Sequence, residues 1–222
     1  MKRLGAVLAG CPSRWNRELF GMTSDSWDDY AAEWDDDPAA RSYAAAAFNS
    51  LLEALDERGI SLSGAVMCDF GCGTGLMIES LVDRVDSVDA VDTSPAMLQV
   101  LEAKIVERGW SNVRALMVVP SSSSSHDLVV CSSVCSFLED YPGTVRKLAG
   151  LLRPGGLFVQ WDWERDDEDD SHGLSRNEIR DAITSAGLVH VHVDTAFEVD
   201  LDGQVMRPLI GVGQAPETIT TT

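Results

Sequence analysis

Val66-Met67-Cys68-Asp69-Phe70-Gly71-Cys72-Gly73-Thr74-Gly75 runs from an apolar stretch into three alternating glycines. The apolar part is read as a buried strand, and Leu76-Met77-Ile78 with Leu81-Val82 then recur at helical spacing. Strand, glycine loop and helix in that order make a ligand-binding turn. Glycine permits a positive φ and lets a ligand approach the backbone, and the first N–H groups of the following helix point into the loop. The glycine spacing separates one ligand class from another. A dinucleotide loop, G-x-G-x-x-G, needs glycine or alanine at position 76, where Leu76 stands. The pattern present is D-x-G-x-G-x-G.

Downstream of the loop, Val88 to Val91 reads as a second strand closed by Asp92. An acid there, about 20 residues past the glycines, is placed to accept hydrogen bonds from ribose hydroxyls. Thr93-Ser94-Pro95 caps and opens a helix through Met97, Leu98, Leu101 and Ile105 to Gly109. Val113 to Val119 is expected as the third strand, and Asp127 to Ser132 as the fourth, beside the first where strand order reverses. A helix ending at Leu151-Leu152, a turn at Arg153-Pro154-Gly155-Gly156 and a strand from Leu157 to Trp161 follow.

Upstream, Ser26 is expected to cap a short helix that carries Trp27, Tyr30 and Trp34 on one face. Pro38, with Asp37 as cap, opens a second helix that buries Tyr43, Ala47, Phe48, Leu51, Leu52 and Leu55 and stops at Gly59. Near the other end, Ser175 and Glu178 form a capping box for a helix ending at Gly187. Val189, Val191 and Val193 alternate with His190 and His192, which places the histidines on the opposite strand face. The last strand is expected over Leu201 to Val212, with Pro208 confining it to an edge or a bulge.

Three blocks in order, Asp69 to Gly75, Val91-Asp92-Thr93-Ser94-Pro95-Ala96-Met97-Leu98, and Leu151 to Gly156, resemble the motifs of class I S-adenosylmethionine (SAM)-dependent methyltransferases of the small-molecule type. Trp27 to Asp35 is similar to the aromatic lead-in of that family. The resemblance implies an α/β fold: a Rossmann-like, seven-stranded, mostly parallel sheet with helices on both faces and an N-terminal helical cap. It implies SAM as cofactor, held by Asp69, Gly71, Cys72, Gly73, Gly75, Asp92, Thr93, Met97, Met117, Cys131, Ser132 and Trp34. Asp92 would hold the ribose, and residues near Cys131 to Val134 would lie beside the sulfonium. The sequence departs from the family at Met117, where an acid commonly reads the adenine amino group. The activity implied is methyl transfer to a small-molecule acceptor by in-line displacement. The alternatives are a SAM-binding protein without transferase activity and an NAD(P)-binding oxidoreductase.

Any general base is expected among Asp140, Tyr141, Glu164 and His172, and Trp161 with Trp163 suits a cationic or aromatic acceptor. Neither an N-P-P-Y nor a Pro-Cys motif is present near the fourth strand, which argues against DNA methyltransferases of the base-amino and cytosine-C5 classes. A formal net charge of -19 opposes a nucleic-acid partner. No apolar run approaches the roughly 20 residues of a membrane span. Leu8-Ala9-Gly10-Cys11 looks like a lipobox, but the apolar segment before it is short for a signal peptide.

The organisation expected is an arm over 1–24, a helical cap over 25–60, the SAM-binding domain over 61–214 and a disordered tail over 215–222. Cys68 and Cys131 fall inside buried strands, where cysteine acts as a small hydrophobe, so no metal is expected. Five cysteines without a credible export signal point to reduced thiols in the cytoplasm, and a monomer or homodimer is expected.

Overall fold

The computed structural model describes residues 27–121, 124–165, 173–201 and 204–217. Its centre is one seven-stranded sheet in the order β3-β2-β1-β4-β5-β9-β6. Strands β1 (Val66–Phe70), β2 (Ser87–Val91), β3 (Val113–Leu116), β4 (His126–Ser132) and β5 (Leu152–Trp163) are parallel neighbours. Strand β9 (Pro208–Gln214) runs antiparallel between β5 and β6 (Val189–Thr195). A small hairpin, β7 (Val199–Leu201) with β8 (Gln204–Met206), precedes β9. From β1 the chain moves first to β2 and β3 on one side and then to β4 and β5 on the other, so strand order reverses at β1/β4.

Because both sheet faces are covered, the central strands are nearly continuous apolar runs. Leu128, Val130, Leu157, Val159 and Trp161 pack on one face, under the helices α1 (Pro38–Asp56), α2 (Ile78–Leu81) and α3 (Pro95–Arg108). The intervening residues Val129, Cys131 and Phe158 face α4 (Tyr141–Ala149) and α5 (Arg176–Ser185). Gly211 of β9 lies under α5, where an added Cβ would collide with Ile179. The helix therefore sits directly on the strand backbone.

Helix boundaries follow local chemistry. Asp37 accepts from the Ala39 N–H ahead of Pro38, and Ser94 accepts from the Met97 N–H ahead of Pro95. Both bonds of the Ser175/Glu178 capping box form. Gly109 and Gly187 have φ of 67° and 85°, past the ends of α3 and α5.

Several elements differ from the sequence reading. The third strand stops at Leu116 because its partner β2 stops at Val91, and the backbone beyond has no ladder to join. Met117 and Val118 are consequently 52% and 73% exposed. Leu151 and Leu152 do not end a helix. They enter the sheet face and β5, and Arg153 to Gly156 form an insertion within the strand where the register with β4 slips. The last strand is divided, and its second part is interior rather than an edge. Pro208 is tolerated as its first residue, at the end of the ladder opposite Trp163.

His190 has φ 53° in a bulge between Val189 and His192, which breaks the expected alternation. The aromatic lead-in is two 3-10 turns, Asp28–Tyr30 and Trp34–Asp36, and Ser26 lies outside the described residues. So do residues 1–24. The tail differs at its start: Ala215 exchanges two backbone hydrogen bonds with Gly155 and Gly156, of 3.1 and 2.8 Å. Among the described residues, no helix is long and apolar enough to cross a membrane, and no group of His, Cys, Asp and Glu is placed to hold a metal ion.

Candidate active site

A cleft of about 550 Å³ opens at the carboxyl ends of β1, β2 and β4, at the reversal in strand order where ligands bind in open α/β sheets. Its floor is the glycine loop. Gly71, Gly73 and Gly75 have φ of 76°, 52° and 85°, the left-handed region that side chains avoid. The Gly71 and Cys72 N–H groups donate to the Val91 carbonyl at 2.8 and 3.0 Å, tying the loop to the end of β2. A Cβ at Gly71 would lie 2.7 Å from Val134, so the loop after β4 rests directly on the glycine backbone.

Asp92 forms one wall. Its two oxygens accept from the Gly73 and Ser94 N–H groups, each at 2.8 Å, which fixes the carboxylate plane. A carboxylate has about four acceptor positions, which leaves room for a hydroxyl of a ligand beside the backbone donors. Burial raises its pKa, against the opposing effect of the backbone donors. Asp69, at the end of β1, is 2% exposed, and burial followed by the nearby Asp92 charge pushes it up to about 7. Three carboxylates line this cleft, Asp69 and Asp92 within it and Glu139 at its rim, and no lysine, arginine or histidine lines it among the described residues. Such a surface attracts a cation with neutral hydroxyls and repels a pyrophosphate.

The segment before α1 roofs the cleft. Trp27 and Trp34 meet edge to face at 5.9 Å, and Trp27 meets Phe137 at 5.6 Å. Two aspartates clamp the roof to the loop below. Asp28 accepts from the Ser94 hydroxyl and, at 3.3 Å, from the Ala96 N–H. Asp35 accepts from the Thr74 hydroxyl at 2.6 Å and pairs with Lys104 at 2.6 Å. Lys104 is one of only three lysines in the chain; its side chain is 9% exposed, and it also pairs with Glu79 at 2.8 Å. On the far side, Asp162 is fully buried and accepts from the Ser136 and Trp163 N–H groups, both at 3.0 Å, which holds the loop after β4. Burial pushes Asp162 up to about 6.

Residues 68–160 match the family described as Methyltransferase domain. The ubiquinone biosynthesis O-methyltransferase of Marinobacter nauticus is 31% identical over 115 residues, 49% of this chain and 48% of that protein. The chain thus spans about half the length of the curated relatives it matches. Among solved structures, one chain of the complex between the Haloferax volcanii Trm112 methyltransferase activator and a putative methyltransferase superposes with TM-score 0.66. It is 22% identical, over 86% of this chain and 98% of that one. A SAM-dependent methyltransferase from Aquifex aeolicus gives 0.62 at 18% identity, over 87% and 98%.

Over residues 68–160 the chain carries a methyltransferase domain. Of the residues expected to hold its cofactor, Trp34, Asp69, Gly71, Cys72, Gly73, Asp92, Thr93, Met97 and Ser132 line the cleft. Three do not. Gly75 lies behind the loop against Leu101, Cys131 is fully buried in the core under the other sheet face, and Met117 is half exposed past the end of β3.

The expected general bases of the methyltransferase domain are also elsewhere. Asp140 caps α4 by accepting from the Gly143 N–H at 2.9 Å. Tyr141 is buried with its hydroxyl on Gln160 at 2.8 Å, and Glu164 is paired with Arg176 at 2.8 Å. His172 lies outside the described residues. Trp161 is fully buried with its indole N–H on Ser50 at 3.2 Å, so only Trp163 of that pair faces the cleft. Ser133 and Val134 line the cleft within the stretch expected beside the sulfonium, whereas Tyr43, Phe137 and Glu139 line it without having been expected there. Tyr43 reads in sequence as a helix core position, and nothing local marks it otherwise.

Removing the roof clamp tests its role. Asp35→Asn keeps a hydrogen bond to Thr74 but removes the charge facing Lys104. S-adenosylhomocysteine affinity is expected to fall by roughly tenfold, the effect of about 1.4 kcal/mol, with a faster off-rate. Isothermal titration and stopped-flow dissociation read both, and an unchanged off-rate rejects the clamp.

Proposed function

We propose that this chain transfers the methyl group of SAM to a small-molecule acceptor, working as a cytoplasmic monomer or homodimer with neither nucleic acid nor membrane as partner. The observation that carries the reading is Asp92, held at the end of β2 by two backbone donors with acceptor positions left toward the cleft. The cleft fits the cofactor chemically: glycine backbone for close approach, a carboxylate for paired ribose hydroxyls, and acidic walls for a sulfonium and an ammonium. When bound, SAM supplies a methyl carbon that an acceptor lone pair displaces in line from sulfur.

The protein's task is alignment and exclusion of water. Asp92 and the glycine loop orient the ligand, and Trp27, Trp34 and Phe137 cover the cleft. Asp162 keeps the loop after β4 in place. An acidic cleft without basic lining residues among those described favours neutral or cationic acceptors over phosphorylated ones. The net charge of -19 supports the absence of a nucleic-acid partner.

Thermal unfolding with S-adenosylhomocysteine and with NAD tests the cofactor. A ligand at a hundred times its Kd adds about 2.7 kcal/mol. Stabilisation by S-adenosylhomocysteine and none by NAD is expected, and the reverse overturns the reading. Release of S-adenosylhomocysteine from SAM across an acceptor panel then tests transfer; binding without release from any acceptor would leave a SAM-binding protein.

A further inference from the structure

Tyr43 comes from the middle of α1 and Ser133 from the loop after β4, and their hydroxyls meet at 2.8 Å in the wall of the cleft. Ser133 sits at φ 53°, a left-handed conformation unfavourable for a residue with a side chain. Its N–H donates to the Trp161 carbonyl at 2.9 Å, and the next residue, Val134, rests on Gly71. The strain is therefore imposed where the loop after β4 closes on the glycine loop, and strain of this kind collects at functional sites. The Tyr43 ring is locked between Trp163 at 5.3 Å and Phe197 at 5.4 Å.

Two hydroxyls that share one hydrogen bond keep one proton for a third atom. Burial raises the Tyr43 pKa, while the Ser133 and Ser132 hydroxyls direct donors at its oxygen. Tyr43 thus stays protonated and hands its own proton onward as a donor; it is no base. The titratable groups of the cleft wall are Asp69, Cys72, Asp92, Glu139 and Tyr43. Burial raises the Cys72 thiol well above its usual range. Asp69 and Asp92 belong to the glycine loop and the ribose wall, and Glu139 is exposed at the rim. An aliphatic alcohol, which needs a strong base, is poorly served by this set. A phenol is well served, because its proton is lost to water near neutral pH once a donor stabilises the oxyanion, and its ring finds the aromatic walls of Trp163 and Phe137.

We propose that the Tyr43 hydroxyl, buttressed by Ser133, donates a hydrogen bond to the acceptor oxygen, and that the acceptor is a phenol. The inference rests on the methyl-transfer reading. In the step, the phenolic proton passes to solvent, the oxygen lone pair forms the O–CH₃ bond, and the S–CH₃ bonding pair returns to sulfur as a neutral thioether.

Tyr43→Phe keeps the ring and its packing, and Ser133→Ala removes the buttress. S-adenosylhomocysteine binding and thermal unfolding come first: wild type that fails to bind it defeats the methyl-transfer reading, not this one alone. With binding intact, simple phenols are expected to be methylated and aliphatic alcohols and amines not. Tyr43→Phe should then lower kcat/KM for phenols by about 10- to 100-fold, the range of one lost hydrogen bond to a charged group. Its S-adenosylhomocysteine affinity and Tm should be unchanged, and its rates should depend more steeply on phenol acidity across a substituted series. Ser133→Ala should show the same pattern more weakly. Equal loss of cofactor affinity and Tm, unchanged acidity dependence, or preferred turnover of alcohols or amines each overturns the assignment.

Discussion

Asp92→Ala is expected to weaken S-adenosylhomocysteine binding by about 100- to 1000-fold, the loss of two charge-assisted hydrogen bonds at about 1.5 kcal/mol or more each. The carboxylate holds the Gly73 and Ser94 N–H groups at 2.8 Å and presents its remaining acceptor positions to the cleft. Alanine removes both functions at once, so a fall in affinity alone would leave open a collapsed loop. Asp92→Asn separates them. The amide oxygen still accepts from one of the two backbone donors and preserves much of the loop, but it offers fewer acceptor positions to a ribose and places a donor beside its hydroxyls. Asparagine is therefore expected to keep most of the thermal stability and still lose at least tenfold in affinity, about 1.4 kcal/mol. Isothermal titration of both variants beside their melting curves checks this, and full affinity in either variant removes Asp92 from the site.

Asp69→Asn is expected to raise stability at pH 8 and lower it for no pH. Asp69 is buried and held up at about 7, by burial first and by the Asp92 charge second. An acid whose pKa is higher in the native than in the unfolded chain binds more protons when folded, so stability falls as pH rises between the two values. For Asp69 that window runs from about 4 to about 7, and at 1.36 kcal/mol per unit the cost by pH 8 is about 4 kcal/mol. Asparagine carries no such cost, so the melting temperature of the variant should exceed that of wild type at pH 8 and converge with it near pH 4. Its affinity for S-adenosylhomocysteine, whose ammonium gains from an ionised Asp69, should fall about tenfold or more, about 1.4 kcal/mol. Calorimetric melting from pH 4 to pH 8 tests the first effect. Proton release on binding, titrated near pH 7 in buffers of different ionisation heat, tests the second. A stability difference that does not vary with pH contradicts the burial account.

These two acids were legible in the sequence because each ends a strand, and the chemistry at a strand end depends on few neighbours. Asp69 stands two residues before the first glycine, and Asp92 stands at the spacing the next strand requires. The caps of α1, α3 and α5 were legible for a similar reason. Each bond joins residues two or three apart, Asp37 to Ala39, Ser94 to Met97 and Ser175 to Glu178.

Roofing and acceptor contacts join residues that are distant in the chain. Asp35 reaches Lys104 and Thr74, and Tyr43 reaches Ser133 and Trp163. A tyrosine at helical spacing among alanines and leucines reads as core, which Tyr43 also is. Trp161 and Trp163 are indistinguishable as neighbours in a strand, yet a hydrogen bond to Ser50 on α1 seals the first away from the cleft that the second lines. Met117 was placed by counting back from Asp127 at the start of the fourth strand, and the third strand stopped just before it because β2 had ended.

By itself the sequence determined the α/β architecture, the glycine loop, its paired acids and the capped starts of α1, α3 and α5, since apolar periodicity, capping and positive φ are properties of short segments. Only the tertiary structure decided which strands had partners to extend along, which aromatic rings faced the cleft and which hydroxyls met in its wall. Those outcomes depend on hydrogen bonds and packing between segments up to about a hundred residues apart, such as Trp161 with Ser50. Such contacts exist only once the sheet has brought the ends of β1, β4 and β5 together beneath α1.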